Sequence, residues 1–192
     1  MEEYKEAGFF KRFYRFFELQ DFKLSSRSEF VELIVYSLAS FLIPFAFHQQ
    51  IFVGATVNML LVLAALNLRG IKLLPVILFP SLGVIAGGYL FGGFTIYLVY
   101  TLPFIWLGNA LIVLAFKYFR LHKKQNFVLT LGIGAAVKTA LLFSAAFVLV
   151  YFAIIPPAFL VAMGIFQLIT ALLGGTMAFA VQKIKNTLPK SL

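Results

Sequence analysis

Six stretches of this chain, residues 30–47, 51–68, 73–90, 94–116, 127–152 and 158–181, are each dominated by apolar residues over 18 positions or more. An α-helix rises about 1.5 Å per residue and satisfies its own backbone polar groups, so runs of this length match a hydrocarbon layer about 30 Å thick. A water-soluble domain of 192 residues has no interior large enough for them: 62% of the residues are hydrophobic and 12% charged, with a mean hydropathy of +0.98. The expected fold is an all-α membrane protein, a compact six-transmembrane-helix bundle that leaves almost no room for a soluble domain.

Orientation follows from where the positive charges fall. Six Lys or Arg precede the first run; Arg69 and Lys72 separate the second from the third, Lys117, Arg120, Lys123 and Lys124 the fourth from the fifth, and Lys183, Lys185 and Lys190 follow the sixth. The alternate connections, 48–50, 91–93 and 153–157, carry none. Because Lys and Arg are retained in cytoplasmic loops, both termini are expected in the cytoplasm. All seven acidic residues lie at or before Glu32, so the net charge of +9 belongs to this rim. Its natural partner is anionic membrane lipid, and nucleic acid is excluded because no soluble fold presents a basic face.

Three segments are expected: 1–28 as a cytoplasmic interfacial segment, 29–185 as the six-helix domain, and 186–192 as a short basic cytoplasmic tail. In YKEAGFFKRFYRFFELQDF, residues 4–22, Phe9, Phe10, Phe13, Phe16 and Phe17 share one helical side, while Lys11, Arg12, Arg15 and Glu18 share the other. Such a helix lies in the headgroup plane, either as an anchor or as a docking surface. The start lacks a signal peptide's short basic region and cleavage site, so the first span is expected to stay attached. Ser28 is the expected cap of the first spanning helix. Pro44, Pro75, Pro80 and Pro103 can kink helices and free carbonyls, whereas Pro156-Pro157 fits the turn before the last helix. Close helix contacts are expected at Gly83/Gly87, Gly132/Ala136, Ala136/Ala140, Ala171/Gly175 and Gly174/Ala178. No internal repeat is evident.

Polar groups deep in apolar spans are costly, which singles out Thr56, Asn58, Trp106, Asn109, Lys138, Gln167 and Thr170. Lys138, in GAAVKTALLF (134–143), lies roughly 17 Å from the basic side, while Asn58, Gln167 and Asn109 lie about 10, 14 and 22 Å from the other. Small residues flank Lys138 and Gln167 on their helix faces, so both are expected to point into the bundle. Two readings of Lys138 stand: a structural lysine, either neutral through desolvation or hydrated and bonded to freed carbonyls, or a contact for an anionic ligand, since no acid follows Glu32 and Glu32 is too far to reach. Asn58, Asn109 and Gln167 can equally bond between helices, and Trp106 can simply pack. His48 and His122 are expected at the outer and inner rims.

Catalysis finds little support. The spans beyond Glu32 contain no carboxylate or histidine for acid–base work, two distant histidines without cysteine cannot build a metal shell, and neither a GxSxG elbow nor a phosphate-binding glycine loop is present. A buried carboxylate relay for proton coupling is also missing. Binding without an energy source of its own, and without a cofactor, remains.

The stretches VGATVNMLLVLAAL (53–66), LPFIWLGNALIVLAF (102–116), GAAVKTALLF and MGIFQLITALLGG (163–175) carry a resemblance. Over about residues 30–183 the chain resembles the S components, the small substrate-binding membrane subunits of energy-coupling factor transporters, and S-component-like bacterial membrane proteins. The resemblance implies a multi-pass protein of the bacterial cytoplasmic membrane that captures a vitamin or similar micronutrient in an outward-open pocket. Uptake would need a separate membrane coupling protein and two cytoplasmic ATPases, with Asn58, Asn109, Lys138 and Gln167 lining or supporting the pocket. A second expectation from another class is a non-transporting six-helix scaffold resembling the rod-shape protein of the MreD type.

Overall fold

Apolar runs bounded by Ser, Asn, Gly and Pro become helices in the computed structural model, which describes residues 15–21, 24–88 and 92–187. The helices are α1 (Ser26–Ala46), α2 (Gln50–Asn67), α3 (Leu74–Gly87), α4 (Leu98–Ala115), α5 (Phe127–Tyr151), α6 (Ala158–Met163) and α7 (Ile165–Thr187). Short 3-10 turns at Gly70–Leu73 and Gly92–Tyr97 lead into α3 and α4, and a π-helical segment, Phe116–His122, extends α4. No strand occurs among the described residues. Six helical stretches are long and apolar enough to cross a membrane: Ser26–Ala46, Gln50–Asn67, Gly70–Gly87, Gly92–His122, Phe127–Tyr151 and Ala158–Thr187. The amphipathic segment expected over 4–22 falls mostly outside the described residues, as do positions 188–192 of the tail; Asn186 and Thr187 continue α7.

Helix ends follow local chemistry. The Ser25 hydroxyl accepts from the Ser28 N–H at 3.1 Å, so Ser25 caps α1 and Ser28, expected as the cap, is the third helical residue that the cap satisfies. Asn126 caps α5 in the same way through the Leu129 N–H at 2.7 Å. Pro75 sits in the first turn of α3, where its missing N–H costs nothing, while Pro44, Pro80 and Pro103 lie inside α1, α3 and α4. Pro157 caps α6. The last expected span is not continuous: Gly164 leaves helical geometry at φ −98, ψ −103, and Phe143 of α5 packs where a Cβ would stand.

α2 occupies the centre and packs most extensively against α7; α1 pairs with α3 and α4 with α5. Leu61, Val62, Ala64, Ala65 and Leu68 of this central segment are fully buried. Backbones touch where side chains are absent. A Cβ on Gly83 or Gly87 would overlap the carbonyl oxygen of Phe41 or Phe45, and one on Gly174 would overlap that of Ala55. Such contact supplies the dispersion and close fit on which apolar helices rely when solvent exclusion does not drive them together. Around the outside, Val31, Leu38, Leu42, Phe147, Val148 and Leu173 remain exposed, the inverse of a water-facing surface.

The stripe Gly132/Ala136/Ala140 does not make an expected contact within the bundle: all three are exposed, and nothing lies near a Cβ on Gly132. At 100° per residue Gly132 points about 200° away from Gly134, which lies on the buried face of α5.

One end of the bundle is polar and basic. Glu29, fully buried, accepts from the Arg69 backbone N–H (3.1 Å), Arg69 Nε (3.2 Å), Arg69 Nη2 (2.7 Å) and Lys72 Nζ (2.8 Å). Beside it, Asn67 Nδ2 donates to Tyr36 Oη and Gln182 Oε1, Gln182 Nε2 donates to Asp21, and Lys185 pairs with Glu32. Lys117 departs from the solvated rim expected for it. It is fully buried, and its Nζ donates to the Leu19 oxygen and, at 2.7 Å, to the Leu68 oxygen. Leu68 is the C-cap of α2, and a cation is favoured at a helix C-terminus.

The packing makes a paired prediction. Gly174→Leu forces a side chain into the α2 backbone and is expected to cost about 3 kcal/mol or more, lowering Tm by on the order of 10 °C. Gly132→Ala, with open space around it, stays within about 1 kcal/mol of the parent, on the stabilising side. Thermal unfolding in detergent measures both; equal effects would contradict the packing.

Candidate functional site

The buried face of α5 carries Gly134, Ala135, Lys138 and Leu142. Gly108 of α4 stands opposite, with space for a Cβ bounded at 3.4 Å by Lys138 Cγ and at 3.3 Å by Leu142 Cγ. The lysine stem therefore runs across α4 where that helix has no side chain. Its Nζ donates to Asn58 Oδ1 of α2 at 2.7 Å and to Asn109 Oδ1 of α4 at 2.9 Å.

Each amide is oriented from its other end. Asn109 Nδ2 donates to the Ile77 carbonyl of α3 at 2.9 Å. Asn58 Nδ2 donates to the Gly54 carbonyl at 2.9 Å and to Thr170 Oγ1 of α7 at 3.3 Å. Thr170 in turn donates to the Gln167 carbonyl at 3.2 Å. With both NH₂ groups engaged, both amide oxygens are left to face the amine. Lys138, Asn58 and Asn109 are each at most 2% exposed. Among the described residues no carboxylate pairs with Lys138; the three ion pairs join Glu29 to Arg69 and Lys72, and Glu32 to Lys185.

Above this cluster lies a cavity of about 80 Å³. Lys138, Asn58, Asn109 and Thr170 line it, together with Gln167, Ser81 and Pro80 and, nearer the end opposite the basic one, Gln50, Val53, Leu98 and Phe166. Gln50 and Leu98 begin α2 and α4, so Asn58 lies about 12 Å and Asn109 about 17 Å from that end along their helices. A shallow apolar groove beside Phe94 and Phe159 shares Gln50, Ala162 and Phe166 with the cavity. Towards the basic end the path is closed by fully buried side chains, Leu61, Ala65, Ile112, Ala135 and Ala171 among them.

Five of the seven residues singled out by sequence, Lys138, Asn58, Asn109, Gln167 and Thr170, line one cavity. Trp106 reaches it at one remove: its Nε1 donates to Ser81 Oγ at 2.7 Å, and Ser81 is part of the wall. Thr56 is not brought to it: two residues from both Gly54 and Asn58, it stands about 200° from them around α2, and its hydroxyl bonds back to the Phe52 carbonyl. Gln50, Gly54 and Ser81 were missed; the spacing 50, 54, 58 along one helix face is a signal that points to the first two. The lining offers one amine, amides and hydroxyls. Among the described residues no group of three His, Cys, Asp or Glu is placed to hold a metal. Compared with family models, curated proteins and solved structures, the chain matches none.

The cluster predicts energetic coupling. Asn58→Leu removes one of two acceptors from a buried amine and is expected to cost about 2 kcal/mol of stability, but less than half of that in a Lys138→Met background. Unfolding of the parent, both single variants and the double variant measures the cycle; additive effects would contradict the hydrogen bond.

Proposed function

We propose that this protein is a solute-binding membrane subunit of the S-component kind, which captures a small anion from outside the cell. The observation that carries the reading is Lys138, an amine on the floor of a cavity with amide oxygens on two sides and no carboxylate partner among the described residues. A cation removed from water is costly unless an opposite charge joins it. A bound anion would supply that charge.

Orientation follows from the basic end. With the basic end facing the cytoplasm, where the exposed Lys123, Lys124 and Lys183 meet anionic lipid headgroups, both termini are cytoplasmic and the cavity opens outward. The apolar plug beneath the site suits a binder that holds its ligand on one side. The lining suits binding better than catalysis, since it has no carboxylate or imidazole to shuttle protons. Release into the cell then requires partners, and the S-component likeness points to a membrane coupling protein and two cytoplasmic ATPases in the bacterial cytoplasmic membrane. A cavity of about 80 Å³ is far below the roughly 300–1,000 Å³ of sites for drug-sized molecules, so the ligand is small or the site widens to admit it.

The test compares the parent and Lys138→Met after mild detergent purification, by mass spectrometry of the small molecules each retains. An anionic metabolite near one equivalent in the parent and lost in the variant is the expected result. Equal emptiness, or lipid alone in both at matched folding, would remove the binding role and favour a membrane scaffold.

A further inference from the structure

The proposed binding role leaves the ligand's class open, and the distribution of charge and apolar surface along the cavity narrows it. Lys138 is the one cationic side chain in the lining, and Arg69, Lys72, Lys117, Arg120 and Lys185 are engaged at the far end. In a low-dielectric interior one positive charge is neutralised by one negative charge; a dianion would bury an uncompensated charge of its own. The amine sits at the floor, tied to Asn58 and Asn109, with two of its three donors used. Between it and the mouth the walls are largely apolar: Val57, Ile105, Val84, Met163, Val53 and Phe166. A bare inorganic anion would exploit only the floor. An organic anion with a short apolar body would use floor and walls together.

We infer that the cavity takes a short-chain monocarboxylate, its carboxylate on Lys138 and its apolar body lying along Val57, Val84, Ile105 and Met163 towards the mouth. Without widening, a volume of about 80 Å³ suits a body of a few carbons. Each methylene buried against these walls contributes about fourfold in affinity, from roughly 0.8 kcal/mol per CH₂.

Equilibrium dialysis of the purified full-length protein against radiolabelled acetate, butyrate, succinate and inorganic phosphate, at constant ionic strength, tests the inference. Butyrate, with two more methylenes, is expected to bind about fifteenfold tighter than acetate, succinate and phosphate at least tenfold weaker than butyrate, and Lys138→Met to lose butyrate binding. Met163→Gln, which makes the wall polar without touching the floor, is expected to narrow the butyrate-to-acetate ratio to about threefold or less; it serves also if Lys138→Met fails to fold. Lys138-dependent binding of succinate or phosphate in preference to butyrate would overturn the monocarboxylate class and leave the anion site standing. Binding of none of the four by folded parent protein would overturn the inference as well, and the retained-metabolite comparison then decides separately whether an anion site exists.

Discussion

A lysine amine deep among apolar helices must find acceptors, and no single helix can provide them. Lys138 of α5 takes them from Asn58 on α2 and Asn109 on α4, and those amides are held in turn by Thr170 on α7 and the Ile77 carbonyl on α3. Five helices are thereby joined through one nitrogen. Apolar packing among helices in lipid is permissive about rotation and register, because hydrocarbon on one side resembles hydrocarbon on the other. A polar cluster is not permissive: turning α5 by one residue would carry the amine off both oxygens, into a medium with nothing to replace them.

Close backbone approach makes the cluster reachable. Gly108 lets the lysine stem cross α4, Gly54 admits Thr170, and Gly174 lets α7 settle on α2 beside Asn58. A second polar layer, Glu29 with Arg69 and Lys72 and the Asn67–Gln182–Tyr36 group, closes the basic end. Between the two layers stand Leu61, Ala65, Ile112 and Ala171, all fully buried. The result has a polar pocket on one side, a sealed middle and a pinned base. That arrangement suits the proposed role of holding a ligand on one side better than it suits conduction.

Much of this was legible because the sequence signals were strong and independent. Apolar run length predicted six spans, and helix periodicity turned Lys138 and the 167/170 face inward, where the cavity lies. Other features needed the third dimension. Thr56 looks like Thr170 in sequence, and both bond back to their own helix, yet Thr170 also meets Asn58 across an interface. Ser81 reads as a small residue until Trp106 reaches it. Glu29 and Lys117 looked like rim charges because their positions near span ends allow solvation; both are instead buried by elements distant in sequence, Glu29 under Arg69 and Lys72, Lys117 under Leu19 and Leu68. The stripe at Gly132, Ala136 and Ala140 shows the converse, since small residues at contact spacing permit a contact without specifying one.

The central claim is that Lys138 meets an anion that the chain does not itself supply. An experimental structure of the full-length protein, purified from its expression host in lipid nanodiscs and resolved well enough to place individual side chains, measures this most directly. The account predicts a non-protein anionic group within about 3 Å of Lys138 Nζ, with Asn58 and Asn109 still bonded to it. A glutamate or aspartate of the chain folded onto Lys138, or an acyl chain filling the cavity to its floor, would contradict it.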